Sequence, residues 1–297
     1  TTNGKVNEFC ISSSGKIFAV GTFTSVNSTT KNRAVLINSD GTIDATFNIG
    51  TGFNAEVKGI KKTTTNNLYV IGSFTSYNGI SISKLVKLDE TGNLNSTFHS
   101  SNTLFNDEPL TIEVSNDDRL LIGGNFTNYN NQTVKNFVSF NEDGAINTTL
   151  SIGNSFENGL IKIIKKNASG SYIITGEFVK YNDSFTNQIV KIESNGNRVS
   201  TFNFSNVFNL NSFIDYISDV STTGNSLNRL SGNTIKIRRQ NDKILLSEVY
   251  INNKRYPLAR FNSSGLLDNS FLFNHTTLNL PSYLKFSLIR DFSITPD

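Results

Sequence analysis

Side chains able to do acid–base, nucleophilic or metal chemistry are scarce in this sequence, and the few present do not fall into working patterns. The two histidines, His99 and His275, stand outside any recognisable motif. No Gly-x-Ser-x-Gly elbow, His-Glu-x-x-His pair or phosphate loop occurs. The single cysteine, Cys10, excludes an intramolecular disulfide and a Cys-x-x-Cys pair. Set in the apolar run Phe9-Cys10-Ile11, it is predicted to be a buried, inert thiol. Asp44, Asn95, Asn147 and Asp268 each follow a glycine by three residues, and with Asp40 and Asp143 they invite a calcium-loop reading. No copy assembles the spaced carboxylates of a calcium cage, so surface hairpins are expected there, with no metal and no cofactor.

Charge gives equally little. The 27 basic and 24 acidic residues are spread along all 297 positions, a net charge of +3, with none of the clustering that nucleic-acid binding requires. The densest basic run, Lys236 to Arg239, reads as a solvated strand edge or a turn. No apolar run is long enough to span a membrane as a helix, so no membrane insertion is expected. Without an initiator methionine or a signal peptide, the sequence reads as a mature fragment or an excised region.

The elements that would position any site show up as a repeat. Gly21-Thr-Phe-Thr-Ser-Val-Asn27 returns as Gly72-Ser-Phe-Thr-Ser-Tyr-Asn78, Gly124-Asn-Phe-Thr-Asn-Tyr-Asn130 and Gly176-Glu-Phe-Val-Lys-Tyr-Asn182, with a worn copy at Ser247 to Asn253. A second motif follows each: an apolar pair, a glycine turn and a short segment ending, in four of five copies, in Phe, as in Leu36 to Phe47 and Lys87 to Phe98. The turn glycines fall at 41, 92, 144, 196 and 265, so the spacing is 51 or 52 residues until an insertion lengthens the last unit.

Within the second repeat four short strands are predicted: Lys58 to Lys62, Asn67 to Phe74, Lys84 to Asp89 and Asn93 to Phe98. Leu68-Tyr-Val-Ile-Gly72 is apolar throughout, which suits a strand buried on both faces. Its closing glycine is expected to let the backbone approach a neighbouring sheet. The 43 Asn and 65 Ser plus Thr favour turns and sheet edges over helices. The expected fold class is all-β: a β-propeller of four-stranded antiparallel blades, five repeats plus the first strand of a sixth. The repeats are placed at about 5–56, 57–108, 109–159, 160–232 and 233–286, with 287–297 as a closing strand, in one domain over 1–297. The ring either closes with five blades or continues beyond residue 297.

Gly15-Lys-Ile-Phe-Ala-Val-Gly-Thr-Phe-Thr-Ser-Val-Asn27 and Asn38-Ser-Asp-Gly-Thr-Ile-Asp-Ala-Thr-Phe47 resemble the delta-60 type of propeller repeat. The resemblance covers nearly the whole chain and is weakest at Asn203 to Asn233. It implies a place in large secreted or surface proteins of bacteria or in phage structural proteins, and it brings no catalytic residues.

In such a fold the connections inside each repeat, Thr24 to Lys31, Ser76 to Ser83, Asn128 to Lys135 and Lys180 to Asn187, and those between repeats, Asn48 to Glu56, His99 to Pro109, Ser151 to Gly159 and Asn203 to Asn233, read as long loops gathered on one face. Loops on a rigid scaffold are where recognition residues sit. Tyr77, Tyr129 and Tyr181, each followed by Asn78, Asn130 and Asn182, are the candidate binding residues. The rings would stack on sugars or anchor an interface; the competing reading has each tyrosine closing its own loop and each asparagine turning the chain. Carboxylates meeting at a central channel would suit glycan cleavage, but Glu113 has no visible partner. The expected function is therefore non-enzymatic: an extracellular or virion-surface module for adhesion or for recognition of a protein or glycan receptor. An architectural spacer contacting neighbouring structural proteins is the alternative, and a glycan-cleaving enzyme comes third.

Overall fold

A computed structural model of the chain describes residues 1–95, 98, 105–150, 156–157, 159–186, 188–202, 237–240, 243–251, 254–262 and 266–273. His99, His275, Lys236, Gly265, the insertion at 203–233 and the closing strand at 287–297 lie outside them. The described residues contain strands, turns and bends and no helix. The chain divides into two compact units, Thr1–Ser184 with Ile192–Asn197, and Phe185–Lys191 with Arg198–Asp297.

In the first unit one antiparallel sheet recurs. Inner strands run Val6–Ile11, Val57–Lys62, Pro109–Val114 and Ile161–Lys166. Each pairs with a central strand, Ile17–Gly21, Leu68–Gly72, Leu120–Gly124 or Tyr172–Gly176. In the first three repeats the central strand pairs on its other side with Ala34–Ile37, Leu85–Leu88 or Phe137–Phe140. The predicted fourth strand shrinks to one bridge per repeat: Ile37 to Ile43, Leu88 to Leu94 and Phe140 to Ile146. The cause lies one residue further on, where the side chains of Asp44, Asn95 and Asn147 accept backbone N–H groups two or three residues ahead and turn the chain away.

Burial explains why the central strand is apolar throughout. Every residue of Leu68–Gly72 is buried, because the second sheet is covered on both faces. Phe18, Val20, Ala34 and Leu36 of the first repeat share a core with Val57, Ile60, Leu68 and Val70 of the second. On the other face of the second sheet, Tyr69, Ile71 and Leu85 join Ile112, Leu120 and Ile122 of the third. The first sheet differs. Its Val6, Phe9, Ile11 and Ile17 stay exposed, Phe9 to 60%, whereas Val57, Ile60 and Leu68 at the corresponding places are buried.

The glycine that ends each central strand does not approach a neighbouring sheet, as the sequence suggested. It crowds its own. A Cβ on Gly72 would stand 2.2 Å from the Glu56 carbonyl oxygen, and the same holds at Gly21, Gly124 and Gly176 against Lys5, Glu108 and Leu160. At this point the inner strand slips register by one residue, between Val57 and Gly59 and at equivalent places in the other repeats. The turn glycines 41, 92, 144 and 196 have φ between 84° and 94°, the left-handed conformation expected of tight turns.

In the second unit Ile237–Gln240, Lys243–Ile251, Lys254–Phe261 and Leu267–Phe273 form a four-stranded antiparallel meander. Residues Ser247–Ile251 of the worn motif lie inside the long second strand. Ile237 to Arg239, from the basic run, lie on a strand at the edge of this sheet.

Asp44 gives the first sheet a measurable pH dependence. Its carboxylate takes the Lys16 ammonium and the Thr46 hydroxyl and N–H, which together lower its pKa from 3.8 to about 2. The unfolded chain thus takes up this proton before the folded chain does, so the contribution is complete above about pH 4 and fades as pH falls toward 2. Urea midpoints followed from pH 5 to about 2 are expected to fall less steeply in Asp44→Asn than in wild type; parallel curves would refute the assignment.

Candidate functional site

The four connections inside the repeats, read as long loops, carry tight hairpins at 25–30, 76–81, 128–133 and 180–185. Ser25–Val26 pairs with Thr29–Thr30, Ser76–Tyr77 with Ile80–Ser81 and Asn128–Tyr129 with Gln132–Thr133. The two residues between the paired strands both have positive φ: Asn27 and Ser28, Asn78 and Gly79, Asn130 and Asn131. Asn182 and Asp183 repeat the pattern. Two consecutive left-handed residues make the two-residue turn whose twist matches that of the strands it joins. Asparagine tolerates this conformation, which is why it recurs at 27, 78, 130 and 182.

This geometry corrects the position of the candidate binding residues. Tyr77, Tyr129 and Tyr181 are at most 5% exposed, and their rings face inward. Tyr77 packs on Phe53 at 4.6 Å, Tyr129 on Phe105 at 4.9 Å and Tyr181 on Phe156 at 4.8 Å. Phe74, Phe126 and Phe178 close the same three groups. The Tyr77 hydroxyl donates to the Gly92 carbonyl and the Tyr181 hydroxyl to that of Gly196, both at 2.5 Å. None of these three tyrosine rings is left for a sugar. An aromatic beside a polar turn gains more by burying its face under the hairpin and bonding its hydroxyl than by standing in water.

The tips themselves are open. All residues of 27–30, 78–81, 130–133 and 182–185 are exposed, Phe185 to 73% and Ile80 to 49%. Among these residues Asp183 is the only charged one. Asn78, Asn130 and Asn182 belong to this surface, with Ile80, Gln132, Thr133 and Ser184 beside them. Each of the first three hairpins is braced from behind by an asparagine absent from the sequence reading. The Oδ1 of Asn3 accepts the N–H groups of Thr24 and Ser25 at 2.8 and 2.9 Å. Asn54 does the same for Thr75 and Ser76, and Asn106 for Thr127 and Asn128. The Phe-Asn pairs at 53–54 and 105–106 stand 52 residues apart, so the repeat spacing alone would have revealed them.

A second cluster lies where the inner strands meet. The Glu8 carboxylate accepts from the Lys61 ammonium at 2.6 Å and from the Ile60 N–H at 3.0 Å, and it stands 3.6 Å from the Lys165 ammonium. Burial opposes the charge on Lys61, and Glu8 and Glu113 more than offset that cost, so its pKa is raised above 10.5. Glu113 accepts the Val114 N–H at 3.0 Å and the Lys166 N–H at 3.4 Å. Cys10 is half-buried on the first inner strand; burial pushes its thiol up to about 12, so it carries its proton at neutral pH.

Residues 12–47, 65–98, 115–150 and 168–202 match the family model described as a β-propeller domain of unknown function, DUF5122. These four segments, together a little under half of the chain, are similar to β-propeller repeats. No curated protein matches the sequence. Among solved structures, a protein of unknown function from Bacteroides caccae is similar at 10% identity and a TM-score of 0.46, over 91% of this chain and 84% of that one. PorZ, a surface component of the type-IX secretion system of Porphyromonas gingivalis, is similar at 8% identity and 0.46, over 87% of this chain and 32% of that one. The gluconolactonase XC5397 of Xanthomonas campestris is similar at 12% identity and 0.41, over 65% and 60%. Likenesses this distant bear on neither ligand nor activity.

Proposed function

Starting from propeller repeats whose first three hairpins are braced by asparagine, we propose that the chain is a non-enzymatic recognition module on a cell or virion surface, with the exposed hairpin tips as its contact surface. The observation that carries this reading is the pairing of rigidity with chemistry. The tips are fixed from behind by asparagine and aromatic contacts, yet display amides, hydroxyls and two apolar side chains with almost no charge. Such a surface suits an uncharged partner, a neutral glycan or the polar face of a receptor, recognised by hydrogen bonds and apolar contact. The resemblance to delta-60 repeats supports an extracellular or virion location, with five repeats in one propeller domain.

The test is binding of the full chain to a glycan array and to intact cells, across ionic strength. Binding is expected to change by less than about twofold between low and high salt, since no ion pairs are screened. Thr29→Ala, Gln132→Ala and Thr133→Ala together are expected to weaken it by about tenfold or more. Steep loss of binding with salt, or indifference to the three substitutions, would overturn the reading.

A second reading, an assembly-contact element of a larger particle, draws on the exposed Val6, Phe9, Ile11 and Ile17 of the first sheet. It predicts no glycan binding and burial of that face in images of the parent particle. A glycan-cleaving role for Glu8 and Glu113 ranks below both, because the Glu8 carboxylate is already occupied by Lys61 and the Ile60 N–H.

A further inference from the structure

The four repeats offer one another nearly the same apolar faces. Phe23, Phe74, Phe126 and Phe178 are all fully buried at one recurring position, and Ile60, Ile112 and Ile164 at another. Apolar attraction is non-directional. It would join the first repeat to the third, or to the second repeat of another chain, almost as readily as to its proper neighbour. What differs from junction to junction is polar. Asn7 donates to Glu56 at 2.9 Å across the first junction. Lys58 and Ser73 meet Glu108, and Thr64 meets Asp118, across the second. At the third the Thr111 hydroxyl accepts the Ile164 N–H at 3.0 Å.

We propose that these unlike polar residues, on the inner strands and on the segments beside them, act as an address that fixes which repeat packs after which, with Glu8 reading the second repeat. The geometry at Glu8 carries the inference. Its carboxylate lies over Gly59, the Ile60 N–H and Lys61. A Cβ on Gly59 would stand 2.8 Å from the Ile112 Cγ2 and 3.0 Å from the Glu8 Oε2, so a larger residue there would crowd both the third repeat and the carboxylate. The third repeat offers Thr111 and Glu113 in the places of Gly59 and Lys61; the fourth offers Ile163 and Lys165. The third would set a carboxylate against a carboxylate with Thr111 in the way, and the fourth would drive isoleucine into the oxygen. Of the three, only the second repeat offers the Glu8 carboxylate a glycine, a backbone N–H and a lysine together, while Lys165 of the fourth reaches it at 3.6 Å. A charge buried against the wrong partner costs more than the correct pair gains, and specificity of this kind works by penalising the alternatives.

The test uses the full chain refolded from denaturant beside wild type, in Glu8→Lys, Lys61→Glu and the exchanged pair. Size-exclusion chromatography with light scattering reads the mispaired, domain-swapped fraction, at denaturant concentrations chosen so that all variants are equally stable. Each single reversal is expected to raise that fraction by about fivefold, the factor that 1 kcal/mol makes in an equilibrium, and the exchanged pair to lower it again, short of wild type because Lys165 and Glu113 keep their places beside positions 8 and 61. Glu8→Gln, which removes the charge without reversing it, replaces Glu8→Lys if the latter does not fold. The proposal is overturned if the single variants refold as cleanly as wild type at matched stability, or if the exchanged pair stays as mispaired as the singles.

Discussion

Replacing Phe74 or Phe126 by alanine is expected to cost about 3–5 kcal/mol of unfolding free energy, as for large buried aromatics generally. Both rings are fully buried. Phe74 lies 4.7 Å from Phe53, and Phe126 lies 4.5 Å from Phe105. Each belongs to a group that also holds the tyrosine under a hairpin, so truncation both empties a cavity and removes the floor beneath an exposed tip. The surroundings have little freedom to collapse, because the neighbouring chain is pinned by the Asn54 or Asn106 side chain. Urea melts give the measurement, and a loss below about 1 kcal/mol would show that these rings do not belong to the core.

Gly72→Ala is expected to cost about 3 kcal/mol, at the upper end for overpacking. The space is already filled by backbone: the new methyl carbon would stand 2.2 Å from the Glu56 oxygen and 2.9 Å from the Val57 Cα. Moving that carbonyl aside also strains the Ser73 N–H bond to it, at 2.9 Å. Gly21, Gly124 and Gly176 occupy the same niche, so their alanine variants are expected to follow. Denaturant midpoints check the series. If Gly72→Ala shifts stability by less than about 1 kcal/mol, the inner strand yields and the close approach is not what holds glycine there.

The parts of this fold that were readable in the sequence are those made by neighbouring residues. Leu68–Gly72 announced a doubly buried strand because every residue in it is apolar or glycine, and Gly41, Gly92 and Gly144 announced turns because few other residues adopt their φ. The hairpins hid behind their own composition. Only Asn78-Gly79 carries the familiar Asn-Gly turn signal; Asn27-Ser28, Asn130-Asn131 and Asn182-Asp183 look like ordinary polar loop, and with so little to mark them all four tight turns read as long connections. The burial of Tyr77 depends on Phe53, 24 residues earlier in the chain, and nothing local distinguishes a tyrosine with such a partner from an exposed one. Glu8 and Lys61 were invisible for another reason. Their pairing occurs at one junction only, and a search for recurring residues passes over those that do not recur.

The hairpin-linked sheets have a mechanical consequence. Strands joined end to end by short turns and bonded side by side are loaded, when the chain is pulled, like a zip: one hydrogen-bonded pair carries the force at a time. A repeat of roughly fifty residues released in this way lengthens by about 170 Å, and the next repeat holds until its own first pair gives. A molecule built so would yield under tension in even steps, absorbing a tug in stages while the remaining sheets stay folded.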